Sequence, residues 1–307
     1  MTGSASGVVT REIAIVAPTA SGKSDIAMAV ARATGAHIIA VDAMQVYRGM
    51  DIGTAKPSPA DQAAVPHHCI DLVDPNERFT VAEFKTHAAG ARASVQAAGA
   101  PALFVAGTGL YLTAVIDDLQ LPGEWPEVRA ELQAEADTAA LFARLQQLDP
   151  LAASRCEPSN RRRIERALEV TIGSGKPFSS FGPGTSAYPP SDVQQVGVLW
   201  PRETLSRRIE QRVHAMMSAG LLREVQTLAA RFELSREAKQ ALGYKELLEH
   251  LAGRISLDEA VAQIVLRTRQ FAVRQERWFR RDPRIEWVSV HEDPVAEVAP
   301  RIIARLR

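Results

Sequence analysis

Short apolar runs alternate with amphipathic stretches over the first third of the chain. REIAIVAP, from Arg11 to Pro18, is a strand-like run that leads straight into the glycine-bearing segment ASGKS. SDIAMAVARATG then spaces its apolar residues as a helix does and stops at Gly35. AHIIAVDA predicts a second strand ending at Asp42, and HHCIDLVD a third, more ambiguous one. In TVAE, Thr80 and Glu83 have capping-box spacing, which opens an alanine-rich helix running to Gly99. PALFVAGTG follows as a strand bounded by glycines. Parallel strands need crossover connections, and strands alternating with helices supply them, so the pattern predicts a doubly wound parallel sheet with helices on both faces.

After Asp118 the pattern changes. PEVRAELQAEADTAALFARLQQL and NRRRIERALEVTIGSG read as helices with no strand between them, the mark of an inserted helical domain. Residues Gly173 to Pro190 are rich in glycine, serine and proline and predict a long loop. VQQVGVLW returns to the sheet, and helical patterns dominate from Glu203 to Arg281. The expected division is residues 1–117 for the first part of the core, 118–194 for the insertion and 195–307 for the return to the core and the C-terminal helices. No internal repeat or low-complexity tract interrupts this.

The chain has 307 residues and 46% apolar composition, enough for a sizeable core and a second, smaller domain. Its 36 basic and 36 acidic side chains cancel, so a polyanionic partner is neither demanded nor excluded, and only local clustering speaks to it. Cys69 and Cys156 lie far apart without CxxC spacing, against a disulfide framework or a structural zinc site. MTGSASGVVT carries no basic segment followed by an apolar stretch, and no later run is long enough to span a bilayer. The expectation is a cytoplasmic protein with no membrane partner.

IVAPTASGKS carries the first candidate chemistry. Between a strand and a helix, successive N–H groups converge on an anion, a lysine adds a point charge, and a hydroxyl can ligate magnesium. Ala17, Pro18, Thr19, Ala20, Ser21, Gly22, Lys23 and Ser24 form this loop, with Lys23 as the cation and Ser24 as the magnesium ligand. Gly22 lets the backbone approach phosphate closely, whereas Ala17, where the usual pattern has glycine, is tolerable wherever φ is negative. The bland alternative is a chance match in a helix-capping loop. The fold predicted is α/β: a P-loop NTPase-like doubly wound parallel sheet with an inserted helical domain and a helical C-terminal region. An ordinary P-loop ATPase would end a strand in aspartate beside this loop, but the fourth strand ends in VAGTGLY, and no NKxD guanine motif is present.

APTASGKS, VDAMQVYRGMDIGTAKP, AGTGLYL, ALGYKEL and RTRQFAVRQERWFRR together, in this order from residue 17 to residue 281, resemble the tRNA dimethylallyltransferases. The resemblance implies transfer of a dimethylallyl group from its diphosphate to N6 of the adenosine immediately 3′ of the anticodon, with Mg2+. The loop would then hold an isoprenoid diphosphate, a leaving group. The residues fit that chemistry. N6 is a poor nucleophile, so the leaving group needs stabilising, and loop amides from Thr19 to Ser24, Lys23 and magnesium can neutralise the charge that develops. Asp42, at a strand's C-terminal end beside the loop, is the candidate base, with a magnesium ligand or a helix cap as alternatives. Thr108 resembles the family threonine that hydrogen-bonds the diphosphate near the breaking bond. Ala106 replaces a glycine usual in that motif.

The target base is stacked in an anticodon loop, so the enzyme must extract it. Arg161, Arg162, Arg163 and Arg166 cluster in the insertion, and six arginines lie between Arg267 and Arg281 against one acid, Glu276. Gln270, Arg274, Arg277 and Arg281 share one helical face. Such runs are often only solvated faces. In the resemblance, Asp42, Ala43, Met44 and Gln45, and the stretch from Gln240 through Gly243 and Tyr244 to Lys245, contact tRNA, as does Arg129. Val273 stands where the family often has lysine. His67, His68 and Cys69 do not suggest a metal, because neighbours on a strand point to opposite faces. Trp278 and Phe279 suit a core or docking surface better than base stacking.

Two rival classes remain at this stage. One is an isopentenyltransferase acting on a free adenine nucleotide, or a small P-loop kinase. The other is a nucleic-acid-binding P-loop switch without transfer chemistry. The insertion and the arginine clusters favour an RNA acceptor, and Asp42 with Thr108 favours transfer. The partners expected are the tRNA anticodon stem-loop and dimethylallyl diphosphate, and the chain is expected to act as a monomer.

Overall fold

The computed structural model describes residues 11–182 and 184–306. The reading of MTGSASGVVT as free of a leader falls outside them. The chain divides into two compact units, Met1–Ile116 with Pro190–Arg307, and Asp117–Pro189.

In the first unit, β1 (Glu12–Val16), β2 (His37–Val41), β3 (His67–His68), β4 (Ala102–Ala106), β5 (Gln194–Leu199) and β6 (Ile285–Ser289) form one sheet in the order β3-β2-β4-β1-β5-β6. Every pairing is parallel. Alternate residues serve opposite faces. Ala14, Val16, Ile39, Val41 and Phe104 join one core, while Ile13, Ile15, Ile38, Leu103, Val105 and Val198 join the other. Burial on both faces explains why these strands read as nearly unbroken apolar runs. Ala106 lies level with Val16 on one side and Val41 on the other, so the loops after β1, β2 and β4 leave the sheet at the same edge.

Four helices precede the second unit: α1 (Lys23–Thr34), α2 (Pro59–Ala64), α3 (Val81–Ala97) and α4 (Gly109–Ile116). The capping box read from TVAE is present, with Thr80 N donating to Glu83 at 2.7 Å and Glu83 N to Thr80 Oγ1 at 3.2 Å. The run HHCIDLVD is strand only at His67–His68, because Cys69 and Asp71 turn the chain at φ 64° and 54°. Cys69 and Cys156 are both free and buried, and burial pushes the Cys69 thiol up to about 12.

The second unit holds α5 (Pro126–Ala134), α6 (Thr138–Leu148), α7 (Pro150–Ser154) and α8 (Arg161–Ser174), packed on Leu132, Leu141, Leu145, Ile164 and Leu168. The first predicted helix of this region is therefore two. Asp137 caps α6 by accepting from Ala139 N at 2.8 Å, and Arg161 donates to the carbonyls of Leu132, Glu135 and Ala136 that α5 leaves unpaired. The stretch Gly173 to Pro190 is not featureless: it holds 3-10 turns at Phe178–Ser180 and Gly184–Ser186, and buried Asp149 binds Ser179 N at 2.8 Å. The compact unit ends at Pro189, so residues 190–194, assigned to the insertion by sequence, belong with the sheet, and Gln194 already begins β5.

The helical stretch after β5 resolves into α9 (Arg202–Ser218), α10 (Leu221–Arg231), α11 (Arg236–Lys239), α12 (Tyr244–Leu251) and α13 (Leu257–Phe279). The chain then returns to the sheet as β6 and closes with α14 (Pro294–Leu306), whose Val298 and Ile302 share a core with Ile26 and Val30 of α1. The helical reading from Glu203 to Arg281 stops short of the edge strand IEWVS, which the expectation of a return to the core and C-terminal helices did not name. Among the described residues no helix is long and apolar enough to cross a membrane.

Candidate active site

The segment from Ala17 to Ser24 joins β1 to α1 at the sheet edge where the loops after β2 and β4 also emerge. Its carbonyls are tied back into the protein. Ser21 Oγ donates to Pro18 O at 2.5 Å, Arg208 Nε to Ala20 O at 2.9 Å and Trp200 Nε1 to Ser21 O at 3.0 Å. The Arg208 guanidinium also lies 4.6 Å from the Trp200 ring centroid. Holding the carbonyls outward leaves N–H groups facing in, the arrangement that binds an anion. Thr19 is the exception to the expectation that amides from Thr19 to Ser24 all serve phosphate, because its N–H donates to Gln275 Oε1 at 2.9 Å.

The two alanines that depart from the glycine pattern face each other, Ala17 N donating to Ala106 O at 3.3 Å, and neither has a positive φ. A methyl group there costs no backbone strain. The left-handed positions of the loop are instead Ala20 at φ 64° and Gly22 at φ 86°. Gly22 is required twice over, since a Cβ would also fall 2.6 Å from Pro294 Cγ.

Lys23 and Ser24 line a cleft of about 800 Å3 together with Gly22, Arg208 and Arg212. Burial pushes the Lys23 ammonium down to about 8, the Arg212 charge adds to this and Asp42 opposes it. Arg212, from α9, is likewise held below its usual range by burial, against the pull of Asp42 and Asp25. Neither cation has a hydrogen bond or ion pair among the described residues. Two desolvated positive groups beside a cradle of N–H groups describe a site waiting for a polyanion.

Asp42 follows β2. Its Oδ1 accepts from Met44 N at 2.8 Å and Gln45 N at 3.3 Å, which closes a turn and caps no helix, since the next helix is α2, capped by Ser58. Oδ2 carries no hydrogen bond among the described residues. A Cβ built on Gly107 would lie 3.5 Å from Asp42 Oδ2 and 3.5 Å from Lys23 Cε, so carboxylate and lysine side chain both border the space beside the turn after β4. Thr108, in that turn, accepts from Ala43 N through Oγ1 at 3.3 Å, leaving its own proton free to donate. Gln275 Nε2 donates to Gly107 O at 2.7 Å, so one buried amide on α13 joins the phosphate-type loop to the Thr108 turn.

The remaining expected contacts divide into exposed and internal groups. Gln240 and Lys245 meet at 3.0 Å on the surface. Tyr244, expected to touch RNA, is 1% exposed and donates to Glu224 at 2.5 Å, and Gly243 beside it is buried as the N-cap of α12. These two support the surface instead of forming it. Within the helical unit, Arg129 and Arg166 are half-buried and engaged with the protein. Both pair with buried Glu169, at 2.9 Å and 3.1 Å, and Arg166 donates to Pro122 O at 2.9 Å. Burial raises the Glu169 pKa, but Arg129, Trp125 N–H and Arg166 outweigh it and hold the carboxyl below its usual range. Arg162 and Arg163 are exposed. On α13, Gln270, Arg274 and Arg277 are exposed along one face, whereas Arg281 lies beyond the helix end with its guanidinium 4.3 Å from the Trp278 ring centroid. Arg267, Arg269 and Arg280 are in ion pairs with Glu246, Glu210 and Glu276.

The family model described as IPP transferase matches residues 45–282, and one described as isopentenyl transferase matches residues 11–67. The chain belongs to the IPP transferase family. A "tRNA dimethylallyltransferase" of Kineococcus radiotolerans is 45% identical over 306 residues, 96% of this chain and 96% of that one. The crystal structure of the tRNA isopentenylpyrophosphate transferase of Bacillus halodurans superimposes with a TM-score of 0.70 at 34% identity, covering 97% of each chain. A eukaryotic dimethylallyltransferase acting on tRNA shares the fold, with a TM-score of 0.81 at 24% identity over 96% of this chain and 78% of that one.

In this IPP transferase, Arg208, Arg212, Trp200 and Gln275 are site residues that the sequence reading missed. Arg212 and Gln275 come from helices far along the chain, and only the fold brings them to the loop. Magnesium fits the residues present. The Ser24 hydroxyl is exposed to the cleft without a protein partner, and no group of three His, Cys, Asp or Glu among the described residues forms a separate cage. That suits an ion held mainly by substrate phosphate oxygens and water.

Proposed function

We propose that this chain transfers a dimethylallyl group from dimethylallyl diphosphate to N6 of the adenosine immediately 3′ of the anticodon in tRNA. The names of its full-length relatives support the RNA acceptor, and the site supports the chemistry. The observation that carries the reading is the approach of the Lys23 side chain and Asp42 Oδ2 to the same space beside Gly107, each within 3.5 Å of where a Cβ would stand.

The loop amides from Ala20 to Ser24, Lys23 and Arg212 bind the diphosphate and stabilise its charge as it departs. Thr108 donates to a diphosphate oxygen. The N6 lone pair forms the new C–N bond as the allylic C–O bond breaks, and the N6 proton passes to Asp42 Oδ2. Asp42 stays oriented for this because Met44 and Gln45 N–H groups hold its other oxygen. Magnesium, with Ser24 as its protein ligand, supplies further neutralisation of the diphosphate when bound.

Incubating the protein with magnesium, labelled dimethylallyl diphosphate and either an unmodified tRNA or AMP tests this. Label in tRNA and not in AMP is expected. Label only in AMP, or ATP hydrolysis without transfer, would overturn it.

A further inference from the structure

The loop between β2 and α2 begins with Asp42 and is fastened at its far end by a carboxylate from a distant helix. Glu224, on α10, accepts from three successive backbone N–H groups: Asp51 at 3.1 Å, Ile52 at 2.7 Å and Gly53 at 3.3 Å. Three such donors around one carboxylate form an anion nest filled by the protein's own side chain. The same carboxylate takes a fourth hydrogen bond from the Tyr244 hydroxyl. The Tyr244 ring packs so closely on this loop that a Cβ at Gly53 would lie 2.5 Å from its Cε2.

This fastening connects to Asp42 through a short chain of contacts. Gln45 Nε2 donates to Thr54 O at 3.1 Å and Ala55 O at 3.3 Å, and Gln45 N–H donates to Asp42 Oδ1. Lys56, almost fully buried, closes the loop by binding Tyr47 O at 2.7 Å and Asp51 and Asp71 at 2.6 Å each. At the other end, Tyr244 begins α12, whose flanks carry the exposed pair Gln240 and Lys245. The Glu224 carboxylate therefore sits between the expected RNA-contacting surface and the loop bearing the proposed base.

We propose that Glu224 is a positioning residue for the acceptor: it locks the loop from Asp42 to Lys56 against α12, so that the RNA surface and the base are held as one unit. This rests on the transfer reading above. It assigns Tyr244 a role in that lock and none in direct contact with RNA.

The test uses the full chain with Glu224→Gln, which keeps the side chain's size but turns an amide NH2 toward the nest. Hydrogen exchange at Asp51, Ile52 and Gly53 should rise by about tenfold or more, with Lys23 and Ser24 unchanged. KM for tRNA should rise about tenfold, while calorimetric affinity for inorganic diphosphate stays within about twofold. Tyr244→Phe keeps the ring and loses only the hydroxyl, so it carries the test if the first variant fails to fold, with shifts of about threefold in the same directions. Unchanged exchange and unchanged KM would overturn the proposal, as would a parallel fall in tRNA and diphosphate affinity. Failure of the wild-type protein to modify tRNA would instead count against the transfer reading, since the exchange rates test the lock by themselves.

Discussion

Lys23 shows how a single side chain trades stability for binding. Its amine is held down to about 8 by burial and by Arg212, against an ordinary value of 10.5. Between those values the unfolded chain binds more protons than the folded one, so this group's contribution makes stability rise with pH through the window from about 8 to 10.5. At neutral pH the charged lysine is a burden on the free protein. Lys23→Met is expected to raise the stability of the ligand-free protein by about 1 kcal/mol, read by urea unfolding, while weakening diphosphate binding by about 100-fold. Donor binding should also take up protons near pH 8, visible as a dependence of calorimetric enthalpy on buffer; no buffer dependence would contradict the charge assignment. Much of this residue scale is legible in the sequence, because the loop's spacing names Lys23, Ser24 and Gly22. What spacing could not show is which backbone positions are left-handed. The departures at Ala17 and Ala106 prove to be strand-end residues bonded to each other, and the unusual φ falls on Ala20.

At the scale of elements, the inserted helices are organised by one buried charge. Glu169 on α8 receives Arg129, Arg166 and the Trp125 N–H, so it joins α5, α8 and the chain before α5. Replacing it with glutamine should cost this unit about 3 kcal/mol by removing the buried carboxylate that two guanidiniums share, Arg129 keeping only Glu124 at 3.6 Å. Because its folded pKa is depressed, the stabilisation is fully present above the unfolded carboxyl value of about 4.5 and is lost as pH falls through the folded value. Acid unfolding followed in parallel for wild type and Glu169→Gln should show the difference closing below that pH; a constant difference would remove the charge from the explanation. The element boundaries read from sequence fail where a polar side chain ends a helix that apolar periodicity would continue. Asp137 and Arg161 divide α5 from α6 in this way. The edge strand β6 was missed for another reason. IEWVSV is a short run rich in β-branched and aromatic residues without strict alternation, it follows a long helical region, and its partner β5 lies nearly ninety residues earlier.

For the whole molecule, zero net charge means that RNA binding must come from local clusters. Their sequence signature overstates them. Of the arginines that look alike in the chain, Arg129 and Arg166 neutralise Glu169, and three on or beside α13 are in ion pairs, whereas Arg162, Arg163, Arg274 and Arg277 remain exposed. Replacing Arg162 and Arg163 together with alanine should flatten the slope of log affinity for tRNA against log salt by about 1 to 2, and an unchanged slope would mean that neither meets phosphate. Sequence cannot separate the two groups, because an arginine's partner lies across the fold. The parallel sheet, by contrast, was legible from its strands, and so was the meeting of β1, β2 and β4 at the site.

The central claim is that a loop holds a departing diphosphate while Asp42 accepts the proton of an attacking amine. The most direct measurement is the single-turnover rate of dimethylallyl transfer to tRNA by Asp42→Asn, with diphosphate and tRNA affinities measured alongside. The account predicts a fall of about 10² to 10⁴ in rate with both affinities kept within about twofold. An undiminished rate, or a loss explained wholly by weaker binding, would contradict it.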